Sequence, residues 1–122
     1  MAKKIMVVDD SNAIRQSLVF TLKGAGYEVV EASNGFDALR LMKEHSIGLF
    51  ISDINMPEMD GITLLKKIKE DKDNKHTPVI MLTTEAGGDM ITAGKEAGAR
   101  GWVIKPFNPD QLIEAVKKFF TV

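Results

Sequence analysis

The 122-residue chain has no cysteine. That excludes a disulfide framework, thiolate metal ligation and a thiol nucleophile. Tryptophan and tyrosine occur once each, and there are only four prolines. No apolar run approaches the roughly 20 residues needed to cross a bilayer. Charge of one sign is also missing: Lys and Arg number 16 against 17 Asp and Glu, a net −1. A balance that close gives no support for attraction to nucleic acid or to anionic lipid. The N-terminal "MAKKIMVVDD" has a short apolar run ending in two carboxylates, so it cannot be the apolar core and cleavage site of a signal peptide. Repeats, low-complexity tracts and Pro/Gly/Ser-rich linkers are absent too. Length and composition therefore describe one soluble domain spanning 1–122, expected in the cytoplasm.

What is present is alternation. Ile5–Val8 reads as a strand buried on both faces, and Ser11 offers an N-cap to a helix carrying Ile14, Leu18 and Leu22 that Gly24 and Gly26 end. Glu28–Ala32 is a second strand. A helix from about Phe36 turns Ala38, Leu41 and Met42 inward and frays near His45. Leu49–Ser52 is the third strand, and Asp60 caps a helix holding Ile62, Leu65 and Ile68. Pro78–Leu82 is the fourth. A weaker helix follows, with Met90, Ala93 and Ala97 on one face. Gly101–Ile104 is the fifth strand, and Asn108 with Pro109 opens the last helix. Five strands alternating with five helices imply βαβ units, a parallel sheet and right-handed crossovers.

In open sheets of this kind ligands bind beyond the carboxyl ends of the strands. Four strands end in polar residues: the first in Asp9 and Asp10, the third in Asp53, the fourth in Thr83 beside Thr84, the fifth in Lys105. A parallel sheet puts all of them on one edge. Three clustered carboxylates would force a proton onto one of them unless a cation intervened. One or two carboxylates plus waters and phosphate oxygens is how Mg²⁺ is usually held, and with Lys105 the charges come out near neutral. Such a site can take a phosphoryl group. Asp53, alone at its strand tip, is the candidate nucleophile for an aspartyl-phosphate, and Asp9 with Asp10 the candidate metal pair. Taken singly, each residue also has a bland role: Asp10 favouring a helix N-terminus, Asp53 opening the "NMPEMDG" turn. Their joint placement on one edge is what favours a site. His45 ends a helix and His76 lies in the polar "EDKDNKH" loop, which makes both poor acid–base candidates.

"VVDDS", "SDINMPEMDG", "VIMLTTEA" and "WVIKPF", in this order and on these elements, resemble the receiver domain of bacterial response regulators, most closely its single-domain chemotaxis members. The resemblance spans essentially the whole chain. It implies a flavodoxin-like three-layer sandwich with strand order 2-1-3-4-5. It also implies a phosphoryl group received on Asp53 from a histidine kinase, with Mg²⁺ (or Mn²⁺) held by Asp9, Asp10, Asp53 and the backbone carbonyl of Asn55. Thr83 would bond the phosphoryl group and Lys105 would pair with it. The Lys105–Pro106 bond would be cis, against about 5–6% for X–Pro bonds in general. Asn55 and Glu85 fall at positions that influence dephosphorylation and phosphatase action. Trp102 stands where the chemotaxis members have a swinging tyrosine. It could be a larger switch ring, a static partner-facing aromatic, or a strand aromatic packed on the last two helices.

Phosphorylation would draw Thr83 toward the new oxygens and shift the following segment, which includes Thr84 and Glu85. Gly87, Gly88, Gly94 and Gly98 make the fourth helix marginal, at roughly 1 kcal/mol per helical glycine. The surface of helix four, strand five and helix five, with Trp102 and Pro106, is then the expected readout. With no output domain after the last helix, the signal would pass to a partner protein, either a motor switch or a relay protein. Four rivals compete, one of them a degenerate receiver used only as a scaffold, against which the intact site residues argue. A phosphorelay shuttle would use the same residues. A haloacid-dehalogenase-type phosphatase would need a D-x-D motif, where this chain has adjacent aspartates. A flavodoxin would need a hydroxyl-rich phosphate loop where "DDSNA" places two negative charges.

Overall fold

The computed structural model describes residues 3–84 and 89–121. Five strands alternate with five helices: β1 (Lys4–Val8), α1 (Asn12–Gly24), β2 (Val29–Ala32), α2 (Gly35–Leu41), β3 (Ile47–Asp53), α3 (Gly61–Glu70), β4 (Val79–Thr83), α4 (Asp89–Ala97), β5 (Gly101–Ile104) and α5 (Pro109–Lys117). All strand pairings are parallel, in the order β2-β1-β3-β4-β5. The expected architecture and order are both present.

The period-two pleat divides the strands between two cores. Ile5, Val7, Leu49, Ile51, Ile80 and Leu82 point to a face covered by Leu18, Val19 and Leu22 of α1 and by Leu112 and Val116 of α5. Met6, Val8, Phe50, Val79 and Met81 point the other way, against Ala38, Leu64, Leu65 and Ile68 from α2 and α3. Both faces of β1, β3 and β4 are therefore apolar, as expected for a sheet between two helical layers. Burial differs from expectation within the helices: Leu41 and Ile62 are half-buried, and Leu64, next to the anticipated Leu65, is fully buried.

Strand limits shift in one consistent way. β3 begins two residues early, at Ile47, and ends on Asp53 itself, which pairs with Leu82; β4 runs from Val79 to Thr83, which pairs with Ile104. Asp53 and Thr83 are thus the last rungs of the ladder rather than the first residues of loops, whereas Asp9 and Asp10 follow the end of β1. β2 starts at Val29 rather than Glu28. α2 is capped by Asn34, whose side chain accepts from the Asp37 N–H, and it ends at Leu41, short of His45.

α4 is the least anchored helix. Gly94 is its one fully buried residue, with Met90, Ala93 and Ala97 half-buried. The marginal character expected from its glycines is matched by its packing, although Gly87 and Gly88 fall outside the described residues.

Candidate functional site

The carboxyl ends of β1, β3, β4 and β5 meet at one point. Asp9 is completely buried and Asp53 is 5% exposed, whereas Asp10 faces solvent. Each of the three offers a carboxylate oxygen within 4.8 Å of the others. Lys105 bridges the two buried ones, its Nζ 3.0 Å from Asp53 Oδ2 and 3.2 Å from Asp9 Oδ2. Thr83, also buried, accepts the Lys105 backbone N–H at its carbonyl, 2.7 Å away, which sets the lysine at the tip of β5. The Lys105–Pro106 peptide is cis.

Backbone geometry builds the rest. The Ser11 N–H donates to Asp9 Oδ1 at 2.9 Å while the Ser11 hydroxyl caps α1 by accepting from the Ile14 N–H. Asp9 is therefore held by the start of the helix that it precedes. The β3–α3 turn is tight: Gly61 N–H donates to the Ile54 carbonyl at 2.7 Å, and Glu58 adopts φ 69°, the left-handed region. A Cβ on Gly61 would overlap the Asp53 carbonyl oxygen and come 2.8 Å from Ile54 Cα. Only glycine lets α3 approach the end of β3 this closely.

The electrostatics follow from burial. Desolvation raises the pKa of Asp53, and the Asp9 charge adds to that; a hydrogen bond and the positive charge from Lys105, with the Asn55 backbone N–H, pull the other way. Burial also opposes the charge on Lys105, but its hydrogen bond to Asp53 and the charges of Asp53 and Asp9 outweigh it, and its pKa is raised. The lysine stays an ammonium. Asp9 Oδ2 has that ammonium beside it and no hydrogen-bond partner among the described residues. Two buried carboxylates share Lys105 and a third, Asp10, stands at the exposed rim, so the oxygen-only donor set fits a hard divalent cation such as Mg²⁺.

Residues 5–117 match the family model described as the response regulator receiver domain. The chain belongs to the response regulator receiver family. The receiver is 38% identical over 118 residues to chemotaxis protein CheY-3 of Vibrio cholerae, covering 96% of this chain and 91% of that protein. It is 41% identical over 119 residues to chemotaxis protein CheY of Bacillus subtilis, covering 97% and 98%. Against the transcriptional regulatory protein SrrA of Staphylococcus aureus it is 38% identical, but spans only 47% of that protein. Among solved structures, Vibrio cholerae CheY4 superposes with a TM-score of 0.94 at 40% identity, covering 98% of this chain and all of that one. A putative response regulator from Chloroflexus aurantiacus gives 0.92 at 34%, covering 98% of both chains.

The receiver brings together Asp9, Asp10, Asp53, Thr83 and Lys105. Asn55, on an exposed loop position, reaches the site through its backbone. Thr84 and Pro106 are exposed and lie on the wall of a neighbouring groove, not in the acidic pocket. Glu85 lies outside the described residues. Trp102 corrects one expectation: its half-buried ring belongs to the core of α2 and α3, with Gly94 of α4 against it, whereas α5 is on the opposite face. The pleat decides this, since Val103 takes the α5 side. Gly61 and Arg15 escaped the sequence reading. Their signals were a glycine directly after a capping aspartate, and an arginine among the apolar positions of α1.

Proposed function

We propose that this receiver is a phosphorylation-driven switch, not a turnover enzyme, that accepts a phosphoryl group on Asp53 from a histidine kinase in the cytoplasm. The supporting observation is the cluster of three carboxylate oxygens within 4.8 Å, two of them, from Asp9 and Asp53, bridged by Lys105. In the transfer, an Asp53 oxygen attacks phosphorus of a phosphohistidine; the O–P bond forms as the P–N bond breaks, and the imidazole leaves with the electron pair. Bound by Asp9, Asp10, Asp53 and the Asn55 carbonyl, Mg²⁺ would neutralise charge on the phosphoryl oxygens. Lys105, an ammonium 3.0 Å from the acceptor, counters charge there without having to move into place. The Thr83 side chain ends the neighbouring strand, and its hydroxyl would bond the new group.

A partner must also reach this edge. A groove of about 1010 Å³ is lined by Ile14 and Phe20 of α1, by Phe107 and Pro109 at the start of α5, and by Thr84 and Lys105. Phe20 is 81% exposed. An apolar helix of the phosphodonor protein seated here would have its histidine beside the acceptor. The output face is the α4–β5–α5 surface, because α4 is the helix with least buried anchorage. The chemotaxis relatives, matched along nearly their whole length, favour a chemotactic target over a relay protein.

The test is labelling with acetyl phosphate or beryllofluoride and Mg²⁺. With acetyl phosphate, wild type should gain the mass of one phosphoryl group, and with either reagent it should alter amide exchange in α4; Asp53→Asn should do neither. Undiminished labelling of Asp53→Asn would remove the acceptor from this site. Phosphate-monoester turnover would restore the phosphatase reading.

A further inference from the structure

The sequence singles out Asp9 as a metal carboxylate, and the structure shows how thoroughly that residue is tied down. Its N–H donates to the Ala32 carbonyl of β2 at 3.2 Å, and Oδ1 accepts from Ser11. Its backbone carbonyl accepts from Arg15 Nη1 at 2.8 Å. The same guanidinium donates through Nη2 to Asn12 Oδ1 at 2.9 Å and through Nε to Glu31 Oε1 at 3.2 Å. Gln16 Nε2 holds the other side of Glu31 Oε1 at 2.7 Å. Arg15 is a fork with each of its three nitrogens engaged, spanning the end of β1, the first turn of α1 and strand β2. Its side chain is 14% exposed, against 38% for Glu31.

An arginine so close to a cation site poses a problem, because its charge opposes a divalent ion. Glu31 answers it. The pair carries no net charge, leaving the fork to act through geometry. We propose that Arg15 is a positioning residue for Asp9, fixing the β1–α1 turn so that the Asp9 carboxylate is aimed at the ion, and that Glu31 cancels the charge this would otherwise cost. The proposal rests on the reading of the acidic cluster as a divalent-cation site. Partners that orient a metal ligand typically govern about 10–100-fold in affinity, which is the scale expected for Arg15.

The two possible effects of Arg15 have opposite signs, so the experiment can tell them apart. Mg²⁺ affinity is measured by calorimetry on wild type, Arg15→Gln and Glu31→Gln, with thermal midpoints recorded in the absence of metal. Positioning predicts that Arg15→Gln binds Mg²⁺ about 10-fold more weakly, and that raising the salt does not recover the loss. Glu31→Gln leaves the Arg15 charge uncancelled, so affinity falls by a smaller factor that shrinks as salt screens it. Arg15→Lys, which keeps the charge but not the fork, recovers only part of the loss. Unchanged or tighter binding by Arg15→Gln would overturn the proposal, showing the arginine to be irrelevant or merely repulsive. Absence of Mg²⁺ binding by wild type would instead overturn the reading of the cluster itself, and this inference with it.

Discussion

Removing Lys105 tests the charge balance of the pocket most directly. Its ammonium sits 3.0 and 3.2 Å from two carboxylates that are themselves almost wholly buried. At an effective dielectric of about 20 each contact is worth about 5 kcal/mol of attraction, while the two carboxylates, no more than 4.8 Å apart at their nearest ligand atoms, repel by at least about 3 kcal/mol. Burying the ammonium costs several kcal/mol in return. The net loss on substitution by the similarly sized methionine should be about 3–5 kcal/mol, as for other buried ion pairs deprived of one partner. That figure applies at neutral to mildly alkaline pH without metal.

Protonation then provides relief. The pKa of Asp53 is already raised by burial and by Asp9, and losing Lys105 removes its strongest opposing influence. A carboxyl whose folded pKa lies above its unfolded value, about 3.9, binds more protons when folded, so stability rises as pH falls through the folded pKa. In that window each pH unit returns about 1.4 kcal/mol. Urea denaturation of Lys105→Met and wild type at pH 8 and pH 5 should therefore show a large deficit at pH 8 that shrinks markedly at pH 5. Saturating Mg²⁺ should narrow the deficit at pH 8 by binding the folded state. An equal deficit at both pH values, or one below about 1 kcal/mol at pH 8, would mean that Lys105 is not the charge holding these carboxylates.

Three other substitutions probe separate parts of the argument. Gly61→Ala forces a methyl group into the Asp53 carbonyl, so it should lower stability by about 1–3 kcal/mol in denaturant melts and slow acetyl phosphate labelling through displacement of the acceptor. Phe20→Asp should abolish transfer from a phosphorylated donor protein while leaving acetyl phosphate labelling intact; equal loss of both would show damage to the site rather than to docking. Glu58→Gly relieves a left-handed conformation and should stabilise by up to about 1 kcal/mol in the same melts, with labelling unchanged.

Much of this was written locally. β1, β3 and β4 each carry an unbroken apolar run, Ile5–Val8, Leu49–Ile51 and Val79–Leu82, so burial on both faces could be read from composition. Ser11, Asp60 and Asn108 all cap the helices they precede, because capping is a short-range matter of one side-chain oxygen and one nearby N–H. The polar edge followed from parallelism alone, since strands that run the same way end on the same side. The cis Lys105–Pro106 bond was different in kind: the family resemblance supplied it, not the physics of the segment.

Other features depended on residues far apart in sequence. Glu31 meets Arg15 only because β2 lies alongside β1, a pairing between segments distant in sequence. The need for glycine at 61 arises only where α3 closes on the carbonyl of Asp53. Trp102 could have faced either helical layer, and a single pleat phase chose α3 and α4. The sequence by itself determined which segments become strands and helices, and that one sheet edge would be charged, because propensity, capping and hydrophobic period act over a few residues. The tertiary structure alone decided how closely the charges approach, what offsets them and which helix each strand residue meets. Those are distances between distant segments, and electrostatic energy and close packing depend on distances of a few ångströms.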